Sequence, residues 1–81
     1  MLYFIEVVLP LAVSKTFTYQ VSEAEFHYIQ IGMRVAVPFG KTKIYTALVL
    51  DKNNTPPQLY EAKEIYQILD EKPVVNLHQI E

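Results

Sequence analysis

Two places in this sequence set a cation close to an aromatic ring. Lys15 stands two residues before Phe17, and Lys41 two residues after Phe39. Arg34 and Lys43 lie close by, and all four cations sit beside turns or strand ends. Such a pair can meet a nucleotide, with the cation on a phosphate and the ring against a base. The plainer reading is a solvated rim around a small core. Other chemistries have less to stand on. The serines are Ser14 and Ser22 and the histidines His27 and His78, with no nucleophile-elbow spacing among them. The two histidines are not spaced as a metal pair and read as surface or half-buried side chains. Cysteine is absent, which excludes disulfides, cysteine-ligated zinc and thiol catalysis. Two glycines leave no room for a glycine-rich phosphate loop. No catalytic residue, metal site or cofactor is therefore assigned.

The chain that must position these residues has 81 of them, 51% hydrophobic and 20% charged. That describes one folded domain with a thin core, since a domain this small buries only about 60% of its unfolded surface. A net charge of −2 argues against a general nucleic-acid coat. The charge is uneven, however. The first fifty residues carry four cations against three acids, and the remainder three against six. No stretch approaches the roughly 20 apolar residues of a spanning helix. Met1–Glu6 lacks the basic start and apolar run of a signal peptide. The expectation is a cytoplasmic protein without a membrane partner.

Four segments read as strands. Leu2–Leu9 is β-branched and aromatic and ends at Pro10. Thr16–Val21 alternates, with Phe17, Tyr19 and Val21 on one face. Met33–Phe39 follows the Gly32 turn, and Pro38 confines its end to an edge. Lys43–Leu50 is a further apolar strand, and Asp51–Gln58 a surface loop. Ser22 with Glu25 forms a capping-box pattern for one or two helical turns. Leu59–Lys72 is ambiguous. Leu59, Ala62, Tyr66 and Leu69 fall at helical spacing, but Glu64–Leu69 also reads as a strand; periodicity leans to helix. Val74–Glu81 reads as the start of a helix. Several short strands divided by turns imply an all-β domain, and a small barrel would protect its edges.

Two segments carry a resemblance. Val8-Leu-Pro-Leu-Ala-Val-Ser-Lys-Thr-Phe-Thr-Tyr19 and Ile31-Gly-Met-Arg-Val-Ala-Val-Pro-Phe-Gly-Lys41 resemble the N-terminus of the bacterial primosomal replication-restart helicase family (PriA, primosomal protein N′). Ala62-Lys-Glu-Ile-Tyr-Gln-Ile-Leu-Asp70 followed by Pro73 extends the likeness over nearly the whole chain. Arg-Val-x-Val-Pro-Phe-Gly is its most specific part. The resemblance implies a small barrel-like domain of about six short strands over residues 1–73, then the beginning of a linker helix over 74–81. It makes Lys63–Leu69 a strand, against the helical leaning. It implies a non-catalytic module that captures the 3′-terminal nucleotide of the nascent leading strand at a stalled fork.

The family's pocket carries over to Phe17, Gly40 and Lys63, with Thr18 where familiar members have Asp. A carboxylate only accepts hydrogen bonds, whereas Thr donates and accepts. Either the Thr18 side chain keeps one bond to the terminal nucleotide or its backbone makes the contact. Lys15, Arg34, Lys41 and Lys43 are candidates for DNA-backbone contacts. The implied partners are DNA, the rest of the helicase chain and other primosome proteins. The resemblance implies ATP, Mg and Zn only in a full-length parent, which it makes an ATP-dependent 3′-to-5′ helicase. The rival reading is a protein-interaction barrel meeting another domain through aromatics such as Tyr45 and Tyr60.

Overall fold

The computed structural model of the chain describes residues 1–10 and 15–74. Five strands and one short helix follow in the order β1 (Tyr3–Val8), β2 (Thr16–Val21), α1 (Glu23–Tyr28), β3 (Arg34–Phe39), β4 (Lys43–Asn53) and β5 (Gln67–Ile68). The strands form one antiparallel sheet in the spatial order β2-β1-β4-β3-β5. The most apolar strand, β1, lies between β2 and β4. The register against β4 shifts between Glu6 and Val7, an irregularity of the kind that bends a sheet.

The sheet then curls on itself. The main chain of Gln20, on the free edge of β2, donates to Lys63 O at 2.8 Å and accepts from Ile65 N at 3.3 Å. A few residues on, Tyr66 N donates to Ala36 O and Leu69 N to Arg34 O, on the free edge of β3. Residues 63–69 therefore lace the two outer edges together, with one parallel bridge at Gln20 and Glu64 and a short antiparallel pairing through β5. The all-β fold expected from the sequence is present, and it is barrel-like in that an open sheet of five strands, not about six, has its edges brought together by that bridge. No helix forms over Leu59–Lys72, so the helical leaning is corrected; of the strand implied over Lys63–Leu69, Gln67–Ile68 is regular strand and Glu64 a single bridge. The physical reason is that two strand edges need hydrogen-bond partners, which a helix would not have supplied.

Ile5, Val7, Tyr19, Val21, Val35, Val37, Ala47, Val49 and Ile65 fill the interior together with Leu9 and Ile29. Burying each such aliphatic side chain is worth roughly 1.5–3 kcal/mol. The period-2 faces read from β2 and β3 hold, with Val35 and Val37 inside and Arg34 exposed. Pro38 is accommodated because β3 is an edge at that end, paired only to β4. The capping box is complete: Glu25 N donates to Ser22 Oγ at 3.1 Å and Ser22 N to Glu25 Oε1 at 2.8 Å. β4 runs three residues beyond the expected Leu50, because Asp51, Lys52 and Asn53 stay paired to β1. The helix expected from Val74 lies outside the described residues beyond Val74 itself. The two-part division at residue 73 falls at that same limit.

Candidate nucleic-acid interface

The lacing of the barrel is one-sided. Main-chain bonds close the seam around Gln20 on β2 and Arg34 to Ala36 on β3, and towards Phe17 and Phe39 side chains take over. Tyr19 Oη donates to Pro38 O at 2.8 Å. Thr18 N, on the outward edge of β2, donates to Tyr60 Oη at 2.8 Å instead of to a carbonyl. Lys63 Nζ reaches across to donate to Gly40 O at 3.0 Å. At this open end lies a cleft of about 290 Å³ lined by the residues of β2 from Lys15 to Tyr19, by Pro38–Gly40, and by Tyr60, Glu61 and Lys63. That is near the lower end of ordinary ligand clefts, roughly 300 Å³.

Three of the residues singled out in the sequence thus meet at one place. Phe17 is on the inner face of β2, at the rim, half-buried, with its ring edge-on to Phe39 at 5.2 Å. Phe39 in turn packs edge-on to Tyr45 at 5.8 Å. The Lys15 ammonium lies 5.4 Å from the Phe17 ring centroid, the expected cation–aromatic pair. Gly40 has φ +71°, a left-handed backbone that side chains disfavour, and a Cβ built there would meet no atom within 4 Å. The bare main chain therefore faces open space. Lys63 is delivered by the Asn54–Ala62 loop, which crosses the outer face of β1 and β2. Asn54 Nδ2 pins that loop to Leu2 O at 2.8 Å, and Phe4, Pro56, Pro57 and Tyr60 border one depression beneath it.

The remaining candidates fall elsewhere. Thr18 points to the outer face, where it is buried and its hydroxyl donates to the Glu6 carboxylate of β1, its cross-strand partner. What it turns to the cleft is backbone, and the backbone N–H is held by Tyr60. Arg34 stands at the far end of β3 from Gly40, with its guanidinium forked onto Asp70 at 3.0 and 3.1 Å. This pair raises the Arg34 pKa and holds the Asp70 carboxyl below its ordinary range, in each case chiefly through their side-chain hydrogen bonds. Lys41, on the turn after Gly40, and Lys43, the first residue of β4, are exposed beside the cleft and not in its lining.

The sequence reading places Tyr60 only in the rival interpretation, gives Pro38 a role at the strand edge and in the family motif but none in the cleft, and assigns no role to Glu61. Tyr60 and Glu61 carry no local mark of this, because they reach the cleft through the crossing loop, and Pro38 is brought there by the sheet register. Tyr19 is nearly buried, and burial raises its phenol pKa, with a smaller contribution from nearby Tyr60. Tyr45 is half-buried against Phe39. Among the described residues no three acidic, histidine or cysteine side chains gather as a metal site. No helix among them is long and apolar enough to cross a membrane.

An aromatic edge, bare backbone and lysines around one groove on a small barrel make up the equipment of a single-strand nucleic-acid-binding module. The particular family follows from comparison with known ones. The model of the PriA 3′ DNA-binding domain matches residues 6–81, and the chain belongs to that family, a module that binds DNA 3′ ends. No curated protein and no solved structure matches it significantly.

Proposed function

We propose that the cleft receives the 3′-terminal nucleotide of the nascent leading strand at a stalled replication fork and so positions a helicase there. The observation that carries this reading is the meeting of Phe17, Gly40 and Lys63 at the unlaced end of the barrel. The Phe17 ring offers a stacking surface to a base of any identity, worth about 1–3 kcal/mol per base. That tolerance suits a protein that meets forks of every sequence. A base arriving at the ring displaces the Lys15 ammonium, which then serves the adjoining phosphate. Lys63 spends one of its N–H donors on Gly40 O and keeps others for a phosphate or sugar oxygen. The absent Cβ of Gly40 lets the sugar approach the backbone. The cleft has room for one nucleoside, and an internal nucleotide would bring a further phosphate at its 3′ oxygen.

On this reading the module works within a longer, cytoplasmic chain whose ATP-dependent 3′-to-5′ motor and metal sites lie outside these residues. ATP, Mg and Zn would be bound there, and the remaining helicase domains and primosome proteins would be its protein partners. The test is titration of the protein with short single strands that differ only in a 3′ hydroxyl or a 3′ phosphate. Binding of the hydroxyl strand at least several-fold tighter is expected. Equal affinity for the two would remove end recognition.

A further inference from the structure

Thr18 N–H sits on the edge of β2 where the barrel lacing stops, and a phenol takes the place of a strand carbonyl. Tyr60 Oη accepts that N–H at 2.8 Å on a lone pair, so the bond fixes the oxygen and leaves its own proton uncommitted. The second phenol of the cleft differs. Tyr19 spends its proton on Pro38 O and is nearly buried. Among the described residues, the Tyr60 proton has no acceptor of its own. The Tyr60 side chain is half-exposed and lines the same cleft as Phe17, Gly40 and Lys63. The cleft therefore holds a neutral donor whose position is set by backbone rather than by a flexible stem.

Resting on the 3′-end reading above, we infer that Tyr60 reads the terminal hydroxyl by donating its phenolic proton to O3′ of the bound nucleotide. The lysines of the cleft are point charges and favour any phosphate of the strand equally. A fixed neutral donor instead rewards an oxygen at one position, and O3′ is the atom whose substitution distinguishes an end from an internal nucleotide. The phenol of Tyr19, with its pKa raised by burial, stays protonated and does not compete as an anion near the DNA. Tyr60 thus has two bonds in the complex: it accepts from Thr18 N and donates to the sugar.

The experiment compares the unmodified chain and Tyr60→Phe on 5′-labelled single strands ending in a 3′ hydroxyl or a 3′ hydrogen, by fluorescence anisotropy. Tyr60→Phe also removes the acceptor of Thr18 N–H, a loss common to both strands. Beyond that common loss it should weaken binding of the hydroxyl strand about three- to tenfold more than that of the deoxy strand, the usual effect of one hydrogen bond. Equal loss on both strands, or none on either, overturns the inference. The unmodified chain gives a check that needs no folded variant: it should prefer the hydroxyl over the deoxy strand by a similar factor, and equal binding overturns the inference too. These outcomes are separate from discrimination against a 3′ phosphate, whose failure would sink the 3′-end reading itself.

Discussion

At the scale of single residues, Phe17 has two duties that pull on different observables. Its ring packs inward on the core and against Phe39, yet it also lines the cleft. Phe17→Ala should cost about 2 kcal/mol of stability, less than the 3–5 of a fully buried Phe because half the ring is already in solvent. The domain should remain folded in a urea titration while affinity for a short 3′-hydroxyl strand drops about tenfold, one stacked base. Gly40 separates backbone from contact in another way. Gly40→Ala forces a left-handed residue at about 1–2 kcal/mol, but the new methyl meets no protein atom. The variant should stay folded by thermal melting and, on the proposed site, lose most of its strand binding, because the methyl would occupy the approach proposed for the sugar. Phe17 and Gly40 were assigned to the pocket by the family resemblance; the local pattern by itself showed only that Phe17 shares a strand face with Tyr19 and Val21. The direction of Thr18 was legible from that pattern, as the opposite face of the same alternation. Its burial was not, because the cover comes from a loop more than 40 residues away.

At the scale of elements, the segment from Asn54 to Leu69 does most to build the site, and it was the part read least well. From Leu59 onward its apolar residues admit a helix or a strand, and their periodicity leans to the helix. The choice is made by the free edges of β2 and β3, which the segment itself cannot report. Charge settles its far end. Arg34 N and the Arg34 guanidinium both donate to Asp70, and the carboxyl is held below the ordinary aspartate value of 3.8. A carboxyl depressed in the folded state stabilises it above the unfolded pKa, and that stabilisation is lost as pH falls through the folded pKa. Urea midpoints measured downward from pH 6 should therefore fall below about pH 4 in the unmodified protein. Asp70→Asn should lower stability at neutral pH and flatten this part of the acid-dependent fall. An unchanged acid profile in the variant would mean that the Arg34–Asp70 fork does not hold the seam.

At the scale of the whole molecule, the barrel is laced at one end by main chain and fastened at the other by Tyr19, Tyr60 and Lys63. A cleft forms where the lacing stops, so the proposed site is a product of the incomplete closure of the sheet. Arg34 and the shallow groove of Val8, Leu9, Leu48 and Val74 lie away from it. A site placed in this way can be read directly from backbone amide shifts. In a titration of the isotope-labelled chain with a dinucleotide carrying a free 3′ hydroxyl, the account predicts the largest shifts at Phe17, Thr18, Gly40 and Lys63, with those of Arg34 and Leu48 near zero. Shifts centred on Arg34, Leu48 and Val74 with Phe17 and Gly40 unmoved would contradict it.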